Sequence, residues 1–90
     1  MSKPTVNIEN WSVVDGVMSP AFRDLEPGWR LTGTIFGHAE LPNGIIYTSA
    51  IVRVDAANGL VETHNTIYRL GQASNEYARW DWERWAARTA

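Results

Sequence analysis

Two histidines, His38 and His64, are the side chains in this sequence that titrate near neutral pH without help from their surroundings. Converging with Glu40 or Glu62 they would make a metal site, but no metal-type spacing links them. Each reads as a polar residue at a strand end or on the surface, and no metal is expected. A serine nucleophile at Ser12 or Ser49 would need an elbow such as G-x-S-x-G, which the chain lacks. The hydroxyls of Thr48 and Ser49 read instead as cross-strand pairs on a polar face. Asp15, Asp24, Glu26, Glu40 and Glu62 could supply paired carboxylates for acid–base work, yet their spacing singles out no pair. Gly37, Gly44 and Gly59 are turn glycines, and neither phosphate-cradling glycine motif is present. Without cysteine there is no disulfide, thiol nucleophile or thiolate metal site. No catalytic residue and no cofactor is expected, and the chain reads as a protein other than an enzyme.

One polar grouping remains. Tyr47, Thr48, Ser49 and Arg53 lie in one segment, and Thr63, His64, Asn65, Thr66 and Tyr68 in the next. Paired through the Asn58-Gly59 turn, Arg53, Asn65 and the hydroxyls would line a shared patch. Such convergent groups beside aromatic walls build small-ligand sites. Arg53, Asn65, Tyr47, Tyr68, Thr48 and His64 are therefore candidates for a nucleotide-like or other anionic ligand. The plainer reading is preferred: an antiparallel sheet needs one wet face, and Thr and Tyr commonly occupy it.

The elements that would position these residues follow from periodicity and turn chemistry. Residues 1–5 read as a loose lead-in, and Val6 to Gly16 as a strand closing on Asp15-Gly16. Ser19-Pro20 is a helix-start signal, with one helical turn or an irregular loop to follow. Trp29 to His38 alternates cleanly, with Trp29, Leu31, Gly33 and Ile35 on one face. Asn43-Gly44 is a hairpin signal, Ile45 to Val54 a β-branched central strand, and Asn58-Gly59 a second turn. Leu60 to Gly71 reads as the partner strand, with a bulge expected in its polar middle, Glu62 to Thr66.

The period then changes. Ser74 is a candidate N-cap for a helix over 74–88. That helix carries three tryptophans in six positions, Trp80, Trp82 and Trp85. At 100° per residue Ala78, Trp82, Trp85 and Thr89 share a stripe and Trp80 projects almost opposite. The expected arrangement packs Trp82 and Trp85 on the sheet and turns Trp80 outward. There it is held by Arg84 through a cation–π contact, or presented with Tyr77 as an interface. Trp80, Tyr77 and Arg84 are the candidate partner-binding residues.

The totals agree with one small domain, residues 1–90, mainly β over 6–71. The composition is globular, with 44% hydrophobic and 20% charged residues. A net charge of −2 without a basic cluster argues against nucleic-acid binding, and is too weak for a mimic of DNA. No apolar run approaches a membrane span and the start lacks a signal-type apolar core, so a cytoplasmic protein is expected. The fold expected is α+β: an antiparallel meander of about four strands with a C-terminal helix packed across one face.

Gly37-His38, Asn43-Gly44, Thr48-Ser49-Ala50-Ile51 and Thr63 through Gly71 together resemble a loose family of short, uncharacterised bacterial and prophage-type proteins. The resemblance covers about a third of the chain. It implies no catalytic residue, and only that small accessory or anti-defence roles be considered. The functional expectation is an interaction protein binding a protein partner, or itself as a homodimer, with small-molecule sequestration as the alternative.

Overall fold

The computed structural model describes residues 3–18, 20–37 and 43–89. The Ser19 helix-start signal, His38, Glu40 and most of the loop before Asn43-Gly44 lie outside these residues. Five strands and one helix form the α+β meander expected: β1 (Thr5–Val14), β2 (Arg30–Phe36), β3 (Gly44–Asp55), β4 (Leu60–Thr63), β5 (Ile67–Leu70) and α1 (Asn75–Thr89). Neighbouring strands pair antiparallel in chain order. β1 then pairs β5 in parallel, Thr5 to Ile8 opposite Ile67 to Leu70, and the sheet closes into a barrel. Closure leaves β1 flanked on both sides, where an open sheet would have exposed its backbone groups.

Binary patterning explains the barrel interior. Leu31, Gly33 and Ile35 alternate inward on β2. On β1 the inward residues are Val6 and Ile8 in the first half but Val13 in the second, so the parity changes. A bulge makes that change: the register against β2 slips between Glu9 and Ser12, and Asn10 takes a left-handed φ of 54°. Asn is among the few residues that enter this region at small cost. Gly33 faces the bulge, where a Cβ would stand 2.9 Å from the Glu9 carbonyl oxygen. Val6, Ile8, Val13, Leu31, Ile35, Ile51, Val61 and Tyr68 fill the interior.

Two local expectations are corrected. Leu60 to Gly71 is two strands, because the polar middle reverses the chain: the Thr63 amide and hydroxyl both donate to the Thr66 carbonyl, at 2.9 and 3.2 Å. The lead-in is tied down from Lys3, whose ammonium donates to Glu62 and to the Thr63 carbonyl, both at 2.7 Å. Residues 20–28 take the irregular-loop alternative, anchored to β1 by a Val14–Phe22 bridge. The Asn58-Gly59 turn forms as expected, as one 3₁₀ turn with Gly59 left-handed at φ 65°.

Beyond β5 the chain continues parallel to β1. Gly71 donates to Ile8, Trp11 to Gln72, and Ser74 to Trp11. This strap delivers Ser74 to the start of α1. There its hydroxyl accepts from the Tyr77 amide at 3.1 Å, the N-cap bond expected of it, and pairs with the Ser12 hydroxyl at 2.7 Å. No helix among the described residues is long and apolar enough to cross a membrane.

Candidate functional site

The helix seats itself with the face opposite to that expected. Tyr77 is 6% exposed and belongs to the core, while Trp82 and Trp85 stand 65% and 54% exposed. A chain of ring contacts holds the inner face: Trp11 to Tyr77 at 5.4 Å, Tyr77 to Phe22 at 5.4 Å, Tyr77 to Trp80 at 5.5 Å, and Phe22 to Trp80 at 5.8 Å. The Tyr77 hydroxyl donates to the Arg23 carbonyl at 2.6 Å. Burial, followed by the nearby charges of Asp81 and Asp24, pushes its pKa up to about 12. Arg84 lies one turn beyond Trp80, its guanidinium 4.5 Å from the indole centroid, and pairs with Asp24 and Asp81.

Tyr77, Trp80 and Arg84 thus bind the protein's own loop, residues 22–24, rather than facing outward. The physical reason is the partners: Phe22, the Arg23 carbonyl and Asp24 match an aromatic, a hydroxyl and a cation spaced along one helix face. The cation–π contact between Arg84 and Trp80 is present as expected, against the barrel rather than in open solvent.

The polar set does not assemble. Tyr68 is 4% exposed inside the barrel, and burial raises its pKa. The Thr48 hydroxyl is buried at the β2–β3 irregularity, accepting from the Leu31 amide and donating to the Ser49 carbonyl. Tyr47 and Arg53 point outward on β3, Arg53 pairing with Glu62 at 3.4 Å. Hydrogen bonding to Lys3 holds the Glu62 carboxyl below the usual carboxylate range. His64 and Asn65 are exposed at the β4–β5 turn. Interior, outer wall and turn each receive part of the set, so no shared patch results. Among the described residues no group of three His, Asp or Glu side chains is placed to hold a metal ion.

What the structure does assemble is aromatic. Trp82 and Trp85, three residues apart, stack at 6.3 Å with 19° between their planes. Beside them runs a groove of about 450 Å³, lined by Trp11, Ala73, Tyr77, Ala78, Asp81 and the two indoles. Ala73 and Ala78 leave the space because neither has bulk beyond its Cβ. The sequence signal for this stripe was present in Ala78-x-x-x-Trp82-x-x-Trp85; only its orientation was misjudged.

Comparison with family models, with curated proteins and with solved structures finds no match for this chain.

Proposed function

We propose that this chain is a non-enzymatic interaction domain that docks a protein partner on the outer face of α1, through Trp82 and Trp85 and the groove beside them. One observation carries the reading: Trp11, Trp29 and Trp80 are at least half-buried, whereas Trp82 and Trp85 stack on each other in solvent. At about 250 Å² per indole, their exposures leave roughly 300 Å² of aromatic surface in water. A contiguous apolar patch of that size compares with the largest on a typical monomer, which is often functional, and Trp leads the residues that dominate binding energy. Holding the two rings against each other lowers the ordering cost of using them. The resemblance to short prophage-type proteins directs the search for the partner toward accessory and anti-defence systems.

The test is capture from an extract of the source cells on immobilised wild type and on a Trp82→Ala/Trp85→Ala double variant with the same melting temperature. A species retained by wild type and lost by the variant supports the reading. Identical capture profiles, together with identical self-association, overturn it.

A further inference from the structure

Resting on that reading, we infer that what enters the groove is the guanidinium of an arginine on the partner protein, laid on the Trp82 indole and paired with the Asp81 carboxylate. Charge complementarity is the first argument. Arg84 is one cation serving two carboxylates, in contact with Asp24 and, at 2.6 Å, with Asp81. One negative charge is left over among the three. Asp81 brings it to the groove, which it lines: Arg84 holds it through Oδ1, and 55% of its side chain stays in solvent. The other lining residues are alanines and aromatics. An occupant without positive charge would strip water from Asp81 and give nothing back.

The chain's own contacts show which cation suits such a surface. Arg84 lies 4.5 Å from the Trp80 ring centroid while it pairs with Asp24 and Asp81. Arg23 lies 5.3 Å from the Trp29 centroid while it pairs with Asp15 at 3.2 Å. In both places a planar guanidinium satisfies an indole and a carboxylate at once, a combination to which the compact ammonium of lysine is less suited. The groove presents the same two groups side by side, Asp81 and Trp82.

Size agrees. A volume of about 450 Å³ falls at the small end of the roughly 300–1,000 Å³ range of ligand pockets, room for one long side chain rather than a broad protein face. Trp85, stacked on Trp82 at 6.3 Å, holds the receiving ring in place, so little ordering remains to be done on binding.

Titration of the isotope-labelled full chain with the peptide acetyl-Gly-Arg-Gly-amide, followed by NMR at the indole N–H signals, tests this. The Trp82 signal, identified by its loss in Trp82→Phe, should shift saturably with a midpoint of about 1 mM, the range open to a single side chain. Replacing arginine by citrulline keeps the shape, removes the charge, and should weaken binding about 5- to 10-fold. Asp81→Asn should weaken the arginine peptide by a similar factor, and Arg84 keeps its pairing with Asp24 in that variant. Both positions are exposed, and unchanged melting temperatures verify the folding of Asp81→Asn and Trp82→Phe. No shift up to about 10 mM, an equal response to citrulline, or full binding by Asp81→Asn overturns the inference. Movement of the same signals on dilution of the protein alone assigns the face to a second copy and also overturns it. Should the arginine peptide fail while capture from extract still separates wild type from the double indole variant, the partner docks without a cation and the interaction reading stands. Failure of both tests removes both.

Discussion

Replacing Trp80 with alanine should unseat the helix, whereas replacing Trp82 or Trp85 should not. A buried Trp→Ala change costs about 3–5 kcal/mol, and Trp80 is half-buried, which brings the packing loss to about 2 kcal/mol. The cation–π contact with Arg84 adds about 0.5–1 kcal/mol. The ring contacts with Phe22 and Tyr77 overlap with the packing loss and are not counted again. A total near 2–3 kcal/mol corresponds to a fall in Tm of about 10–20 °C for a domain of this length. Trp82→Ala and Trp85→Ala remove exposed rings and should stay within about 0.5 kcal/mol of wild type. Thermal melts followed at the helix band of the circular dichroism spectrum read the difference. They are recorded dilute, so that association does not add to apparent stability. Equal losses at Trp80 and Trp82, or no loss at Trp80, would refute the assignment of inner and outer faces.

Two further outcomes follow from the same packing. The folded-state pKa of Tyr77, about 12, lies above its ordinary value of 10.0, so its protonated form stabilises the fold fully below pH 10. That contribution is lost as pH rises from 10 toward 12. A plot of Tm against pH should fall more steeply there for wild type than for Tyr77→Phe; parallel curves would show that the phenol is not held as described. Gly33→Ala places a Cβ 2.9 Å from the Glu9 carbonyl oxygen and the Ile8 Cγ1, and 3.0 Å from the Trp11 Cα. Two of these are backbone atoms of the β1 bulge. The crowding should cost about 1–3 kcal/mol, against the 0.5–1 kcal/mol by which alanine ordinarily improves on glycine in a strand. An unchanged urea midpoint would show that the bulge yields.

The parts of the fold legible in the sequence were those fixed by local chemistry. The alternation from Leu31 to Ile35, the β-branched run in β3 and the Asn58-Gly59 turn each follow from a few neighbouring residues. So do the Ser74 cap and the Trp80–Arg84 pair, which join positions three or four apart on a helix. The reversal between β4 and β5 escaped because Thr63 and Thr66 close it without glycine or proline. The parallel closure of β1 on β5 is a tertiary event with no local signature. The helix face was misjudged because aromatics lie on both sides of α1, so periodicity selects neither. Phe22 and Asp24, more than fifty residues away in sequence, decide it. The exposed indole stack was therefore visible as an excess of tryptophan but not as a particular pair.

The parallel seam between β1 and β5 also sets a timetable. Thr5 to Ile8 must meet Ile67 to Leu70, about sixty residues downstream, and such long-range closure is slow relative to hairpin formation. At ribosomal rates of about 5–20 residues per second, β1 waits some 3–12 s before its second neighbour is even synthesised. Throughout that interval one side of β1 is an open template for any passing strand. Trp11 meets Ala73 only once the strap has zipped along β1, so the groove beside the indoles cannot exist on an unfinished chain. The groove is therefore a feature only of molecules whose first and last strands have already joined.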